Sequence, residues 1–168
     1  CVYDGRPRKL GARAETRRTG SPWEDDTDIV PWSNDAAVEK IHSYTGIGKD
    51  EGAKLLTGGE RVDGQGFYYR PTVFADVDPQ MRIAQEEIFG PPTALIPVDS
   101  FEEAVAAANS VKYGPSSSIF TRYVNKAFTA MRHLQAGLTH NTAAPPGTAG
   151  HLPFGGTQRS ANGPQHAR

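Results

Sequence analysis

The chain has 168 residues, and its 18 basic and 19 acidic side chains leave a net charge of −1. This length fits one domain or most of one, and the balanced charge argues against a nucleic-acid partner or an anionic membrane surface. The single cysteine, Cys1, excludes an internal disulfide, no apolar run is long enough for a membrane span, and no signal-peptide pattern is visible. These features favour a cytoplasmic location.

Residues 1–32 are predicted to form an irregular or partly helical lead-in. Gly5, Pro7 and Gly11 interrupt any helix in this segment, because proline and glycine disfavour helix interiors. The domain proper is predicted to span residues 33–163, followed by a short tail at 164–168.

A helix is predicted to start near Asn34, with either Asn34 or Ser33 available as its N-cap. Apolar and small residues recur on one helical face: Ala37, Val38, Ile41, Tyr44 and Thr45. Gly46 and Gly48 are expected to loosen its far end, and Ala53–Thr57 reads as a strand closed by a Gly-Gly turn.

Two further strands are predicted in the middle of the chain. Phe67–Phe74 is rich in aromatic and β-branched residues, and Pro71 restricts it to a sheet edge or a bulge. Thr93–Val98 is predicted to be a buried strand. The Ser100–Glu103 run then matches a capping box, in which the serine and glutamate side chains accept from free backbone N–H groups at a helix start.

The last elements predicted are the strand Ser116–Thr121, a helix and the strand Leu138–Asn141. An apolar stripe marks the helix: Val124, Ala127, Phe128, Met131 and Leu134. Gly137 is placed where a left-handed C-cap would stand, and residues from Thr142 onward are predicted to be loop.

The order strand, helix, strand, helix, strand from Thr93 onward requires crossover connections. An α/β fold with a mostly parallel sheet flanked by helices is therefore predicted.

Few residues indicate chemistry by themselves. Cys1 lies at the chain terminus, where neither a partner base nor shielding is expected, and the five histidines lack metal-ligand spacing. Glu86 and Glu87 could form an acid/base pair or simply a solvated turn. The residue pattern alone stops at an α/β domain without a catalytic or metal assignment.

Several short runs resemble the aldehyde dehydrogenase family in both order and spacing. Glu86–Pro91 reads EEIFGP, and His151–Gly156 contains PFGG. Gly66–Phe74 is similar to the family's G-x-Y-x-x-P-T-V-F, and Tyr113–Arg122 to its Y-G-L-x-S-x-I-F-T-R. The match covers residues 20–163.

The resemblance implies an NAD- or NADP-dependent oxidation of an aldehyde to a carboxylic acid. A cysteine thiolate adds to the carbonyl, a hydride leaves for the nicotinamide, and a glutamate activates the water that hydrolyses the thioester. It also implies that Glu87 binds the nicotinamide ribose hydroxyls, Phe89 packs near the nicotinamide ring and Phe154 lines the aldehyde pocket. The alternative for both phenylalanines is ordinary packing.

The resemblance also sets limits. The family's nucleotide-binding domain, nucleophilic cysteine and general-base glutamate match no segment of this chain, so the chain alone is expected to be inactive. Pro92 and Pro115 depart from the family pattern, and each removes a backbone donor beside a predicted strand. The alternative is a non-catalytic remnant or pseudogene product that acts at most as a folding or pairing module.

Gly147 and Thr148 lie in a loop resembling one that contacts the distal carboxylate in members oxidising semialdehydes. A Pro-Pro-Gly turn without function is the other interpretation. The resemblance implies a small aldehyde as the partner of the chain, and the family's full-length members form homo-oligomers.

Overall fold

The computed structural model describes residues 3, 5–143, 154–160 and 164–165. The chain divides into two compact units, Cys1–Val98 and Asp99–Arg168. Helices and strands occur in both units, which confirms the α/β class. None of the helices in the described ranges combines the length and apolarity required to cross a membrane.

The first unit contains three helices and a three-stranded sheet. The helices are α1 (Arg6–Glu15), α2 (Asp35–Asp50) and α3 (Arg82–Gln85), and the strands are β1 (Lys54–Thr57), β2 (Thr72–Ala75) and β3 (Pro92–Ala94). The sheet order is β1-β2-β3, with β1 antiparallel and β3 parallel to β2.

Two clusters of buried side chains form the core of this unit. The first contains Ala53, Phe74, Val77 and Ile83, and the second contains Val38, Ile41 and Tyr69. Ile88 packs against both clusters and therefore ties the segment before β3 to helix α2.

The expectation that proline and glycine interrupt a helix in the lead-in is wrong. Pro7 lies in the first turn of α1, where backbone N–H groups have no acceptor within the helix, so the N–H that proline lacks is not needed. Gly11 is buried, and a Cβ at this position would lie 3.8 Å from the Cβ of Leu56. This distance is an ordinary van der Waals contact, so α1 packs against β1 at Gly11 without requiring a glycine there.

Helix α2 begins as predicted, since the Asn34 side chain accepts from the backbone N–H of Ala37 at 2.9 Å. It does not loosen at its glycines but continues to Asp50. Gly48 is buried against Ile83, whose Cδ1 would lie 3.1 Å from an added Cβ, so close packing explains this glycine.

The strand predicted at Phe67–Phe74, at an edge or a bulge, is observed only over its last residues, and it is not an edge strand. Strand β2 starts after Pro71 and is paired on both sides, so the proline lies outside the ladder. Strand β3 is shorter than the predicted Thr93–Val98 and only half-buried. Pro92 is its first residue, a position that tolerates a missing donor.

The second unit contains α4 (Phe101–Asn109), α5 (Val124–His133) and six short strands. The strands are β4 (Tyr113–Gly114), β5 (Ser116–Ile119), β6 (Leu138–Asn141), β7 (Phe154–Gly155), β8 (Thr157–Gln158) and β9 (Pro164–Gln165). Strands β5 and β6 are parallel, whereas β4 pairs with β8 and β7 with β9 in antiparallel fashion.

The capping box at α4 is confirmed, with one difference in its second bond. The Ser100 hydroxyl accepts from the backbone N–H of Glu103 at 2.9 Å, and the Glu103 carboxylate accepts from Asp99 rather than from Ser100 itself. The carbonyl of Pro115 accepts from the N–H of Leu138 at 3.2 Å. Pro115 therefore still makes a backbone hydrogen bond with its carbonyl oxygen, although it has no N–H to donate.

Two predictions for the second unit are wrong. Gly137 is not a left-handed cap, because α5 ends at His133. A Cβ added at Gly137 would lie 1.6 Å from the carbonyl oxygen of Gly155, so close packing explains this glycine. The segment after Thr142 contains the short strands β7, β8 and β9 rather than loop alone. The apolar stripe of α5 is largely exposed, with Val124, Phe128 and Met131 each more than half accessible.

Candidate cofactor site

One face of helix α2 forms a platform for the Glu86–Gly90 turn, which links α3 to the residues before β3. The residues of this face are spaced as i, i+3, i+4 and i+7: Ala37, Lys40, Ile41 and Tyr44. Each of the last three contacts a different residue of the turn. The turn therefore follows the helix face along about two helical turns.

Glu86 is the residue through which the start of the turn is bound to Tyr44. The Tyr44 hydroxyl donates to its carboxylate at 2.5 Å, and Arg82 donates from Nε and Nη2 to the two carboxylate oxygens at 3.1 Å each. The hydrogen bond to Glu86, followed by burial and the negative charge of that carboxylate, raises the pKa of Tyr44. The same carboxylate raises the pKa of Arg82.

Glu87 is held by its backbone and leaves its side chain exposed. The Lys40 ammonium donates to the Glu87 carbonyl oxygen at 2.8 Å. Within the described ranges, the Glu87 carboxylate has no hydrogen-bond or ion-pair partner. Of the two adjacent glutamates, Glu86 is occupied by structural contacts and Glu87 is open to a ligand.

Phe89 projects its ring into solvent from an unfavourable backbone conformation. Its side chain is 76% exposed, and its φ of +57° lies in the left-handed region that side chains other than glycine seldom adopt. An exposed aromatic ring and a strained backbone each cost free energy, and strain of this kind is concentrated at functional sites.

Gly90 brings the end of the turn against the buried helix face. An added Cβ would lie 2.6 Å from Cγ1 and 2.9 Å from Cδ1 of Ile41, which is completely buried. Ile88 meanwhile points into the core. The backbone thus alternates, with Glu87 and Phe89 outward and Ile88 inward.

A cavity of about 440 Å³ opens beside this turn. It is lined by Ala37, Lys40, Glu87, Ile88 and Phe89. Its volume falls within the range of small-molecule sites, and its wall combines a charged acceptor, a cation and an aromatic face. A ribose diol requires acceptors and a nicotinamide requires a flat apolar surface, so the residues fit part of a nicotinamide nucleotide.

A larger cavity, of about 570 Å³, lies beside α1 and is less suited to a ligand of this kind. It is lined in part by Tyr3, Arg8, Lys54 and Asp76. Tyr3 and Asp76 satisfy each other, because the tyrosine hydroxyl donates to the carboxylate at 3.0 Å and accepts from the Asp76 N–H at 2.8 Å. The carboxylate of Asp76 is therefore partly occupied by Tyr3, whereas Glu15 also lines this cavity.

The other predicted site residues can be placed only in part. The backbone of Phe154 lies in β7, while its side chain and all of Gly147 and Thr148 lie outside the described residues. The segment that follows Phe154 is fastened to β4: Thr157 donates to the carbonyl of Gly114 at 3.2 Å, and Ser160 accepts from its N–H at 2.8 Å.

Sequence reasoning missed Lys40, Tyr44 and Arg82 as part of the site. Helical periodicity identified Tyr44 only as a core residue, and long-range contacts between α2 and the turn leave no local pattern. No cluster of three or more histidine, cysteine or acidic side chains that could bind a metal occurs in the described portion of the chain.

Comparisons with known proteins identify the family of the chain. The sequence model of the Aldehyde dehydrogenase family matches residues 2–168. An alpha-ketoglutaric semialdehyde dehydrogenase of Bacillus subtilis is 38% identical over 165 residues, which cover 96% of this chain and 34% of the relative. The chain thus spans about a third of the length of the curated relatives it matches.

Solved structures show the same similarity in three dimensions. Lactaldehyde dehydrogenase from Escherichia coli superposes with a TM-score of 0.93 at 34% identity, covering 97% of this chain and 34% of that one. The NAD+ complex of an aldehyde dehydrogenase from Bacillus cereus gives 0.90 at 32% identity, covering 94% and 32%. A family match over nearly the whole sequence, together with this structural agreement, means that the chain belongs to the aldehyde dehydrogenase family.

Proposed function

We propose that this chain supplies the nicotinamide-ribose contact and one wall of the substrate pocket of an NAD(P)-dependent aldehyde dehydrogenase. The reaction is the oxidation of an aldehyde, with a semialdehyde as one candidate, to a carboxylic acid. The observation that carries the proposal is the exposed pair Glu87 and Phe89 beside the cavity at Lys40.

Glu87 would accept hydrogen bonds from the two ribose hydroxyls. A carboxylate suits this role because both of its oxygens accept and its charge strengthens each bond. Its position at the cavity mouth, without a competing partner in the described residues, leaves both oxygens available. NAD or NADP, when bound, supplies the hydride acceptor.

Phe89 would restrict the nicotinamide ring to a small set of orientations. Aromatic faces stack on one another at modest gain, and a ring held by a fixed backbone loses little entropy when a ligand arrives. Lys40 fixes the carbonyl of Glu87 and so contributes to the same preorganisation.

Phe154 is proposed to line the aldehyde pocket, with Gly147 and Thr148 as candidate donors toward a distal carboxylate of the substrate. An apolar wall would help to exclude water from the reacting carbonyl. The hydrogen bonds of Gly114 with the Thr157 and Ser160 side chains support a fixed backbone just after Phe154.

The 168-residue chain by itself is proposed to be inactive in aldehyde oxidation. The covalent step requires an activated thiol, and the only cysteine in the sequence is the first residue. Incubation with NAD or NADP and simple aldehydes should give no NAD(P)H above a control without protein. Turnover above that control would refute this part of the proposal.

Binding tests the site itself. The probe is nicotinamide mononucleotide, which carries the ring and ribose but no adenylate, observed by saturation-transfer NMR with the 168-residue chain. Glu87→Gln should weaken binding about tenfold or more, since a charge-assisted hydrogen bond contributes about 1.5–3 kcal/mol. Glu102→Gln is the matched control, because Glu102 is an exposed glutamate of α4.

The outcome separates the two hypotheses for the chain. Binding that depends on Glu87 and not on Glu102 supports the cofactor site. Absence of binding, or equal binding by both variants, favours a non-catalytic module that retains the family fold without its site.

A further inference from the structure

The adjacent residues Glu86 and Glu87 differ in their surroundings although they share one turn. Glu86 is half-buried and bonded to Tyr44 and Arg82, whereas Glu87 is exposed. Without partners such as those of Glu86, both neighbouring carboxylates would be expected to lie in solvent or beside a cation. The difference therefore indicates that the Glu86 contacts set the direction in which the next side chain points.

Helices α2 and α3 each contribute one side chain to the Glu86 carboxylate. Tyr44 reaches it from α2 and Arg82 from the first residue of α3. Arg82 is itself fixed by its backbone N–H, which donates to Glu51 at 2.8 Å, and Glu51 is the C-cap of α2. The turn is consequently tied to both the middle and the end of the same helix.

The Arg82 guanidinium also lies over the Tyr44 ring, with Cζ 5.7 Å from its centroid. A cation over an aromatic face is attracted to it, so the three side chains support one another in a closed set of contacts. Removing one member weakens the contacts of the other two, and their contributions are expected to be non-additive.

The bonds at Glu86 bear on Phe89 through the short backbone between them. A left-handed φ at a phenylalanine persists only where the surroundings determine it. On one side the turn is held by Glu86 and the Lys40 bond to Glu87, and on the other by the contact of Gly90 with Ile41. Release at Glu86 would let Phe89 relax toward negative φ and turn its ring away from the cavity.

We propose that Tyr44, Glu86 and Arg82 form a clamp of positioning residues that holds Glu87 and Phe89 in the orientation required for the nicotinamide ribose. The clamp does not contact the ligand. The role of the clamp in cofactor binding rests on the proposed function, whereas the effect of the clamp on the turn does not depend on that function.

The test uses the isotope-labelled 168-residue chain and two conservative variants, Tyr44→Phe and Glu86→Gln. The first readout is the intraresidue HN–Hα cross-peak of Phe89, which is strong at positive φ and weak in extended backbone. Both variants should weaken this cross-peak while the amide signals of β2 stay unchanged. Tyr123→Phe, which removes an exposed hydroxyl in the second unit, is the matched control and should leave the cross-peak intact.

The second readout is the affinity for nicotinamide mononucleotide. Each variant should weaken it by about threefold or more, as expected for the loss of a neutral or charge-assisted hydrogen bond that preorganises a site. The double variant should be little worse than either single one, because both remove the same link.

The outcomes distinguish the clamp from the cofactor proposal. If the parent chain fails to bind the nucleotide but the Phe89 cross-peak responds to both variants, the cofactor proposal fails and the clamp stands. If the variants lower only the free energy of unfolding, and the folded chain keeps its cross-peak and affinity, the clamp proposal is overturned. Should Tyr44→Phe fail to fold, Glu86→Gln decides alone, since it alters one charge at a half-buried site.

Discussion

The hydroxyl of Tyr44 lies 2.5 Å from the carboxylate of Glu86, although 42 positions separate the two residues in the chain. This contact fixes the turn that bears Glu87 and Phe89 against helix α2. It makes the candidate site a property of the tertiary packing between α2 and the turn, so substitutions along that contact provide direct tests.

The strained backbone at Phe89 predicts an unusual order of stability among its variants. Glycine adopts positive φ without an energetic penalty, whereas alanine adopts it at a cost. Phe89→Gly should therefore be more stable than Phe89→Ala by about 1 kcal/mol. Urea unfolding of both variants measures the difference.

Phe67 provides the comparison for this experiment. It is also partly exposed but is not among the residues with positive φ. There the usual order should hold, with the alanine variant at least as stable as the glycine variant. An alanine variant of Phe89 that is the more stable of its pair would contradict the assigned strain.

Gly90 and Gly46 should respond in opposite directions to the same substitution. Gly90→Ala places a methyl group against the buried Ile41 and should cost about 1–3 kcal/mol of unfolding free energy. A Cβ at Gly46, inside α2, meets nothing within 4 Å, so Gly46→Ala should gain about 0.5–1 kcal/mol from helix propensity.

Thermal and urea unfolding of the two alanine variants compare them directly. The close approach of the turn to α2 would be contradicted if Gly90→Ala were as well tolerated as Gly46→Ala. The double variant Gly90→Ala/Ile41→Ala should lose less stability than the sum of the two single variants, because Ile41→Ala removes both Cγ1 and Cδ1, the two atoms nearest to the new methyl group.

The raised pKa of Tyr44 predicts a loss of stability at alkaline pH. The folded state favours the protonated phenol, so this contribution is fully present below the ordinary pKa of about 10 and is lost as the pH rises through the higher folded value. Tyr44→Phe should therefore show a smaller fall in unfolding free energy between about pH 8 and pH 11 than the parent chain.

Burial raises the pKa of Tyr69 as well, so part of the alkaline loss should remain in Tyr44→Phe. Tyr69→Phe serves as the second variant, and the two together should remove more of the pH dependence than either one. An unchanged pH profile in Tyr44→Phe would argue against the bond to Glu86.

Much of the local structure could be predicted from the sequence because its signals are local. The Asn34 cap and the Ser100 capping box act over three residues, and the structure confirms both helix starts. The strand Leu138–Asn141 was also predicted with its observed bounds. The EEIFGP run identified the turn but not how it is held.

The predictions failed where packing between distant segments decides the outcome. Helix propensity and capping do not account for Gly48 and Gly137, because each is explained by a close contact with residues far along the chain. The clamp on Glu86 was missed for the same reason, because nothing near Tyr44 in sequence indicates a carboxylate partner.

The central claim is that the turn at Glu87 and Phe89 is where the chain meets a nicotinamide nucleotide. The most direct measurement is a titration of the isotope-labelled 168-residue chain with nicotinamide mononucleotide, followed by amide chemical shifts. The shifts should concentrate at Lys40, Glu87, Ile88 and Phe89, which line the smaller cavity. Shifts confined to Lys54, Ala75 and Asp76 beside α1, or no shifts at all, would contradict it.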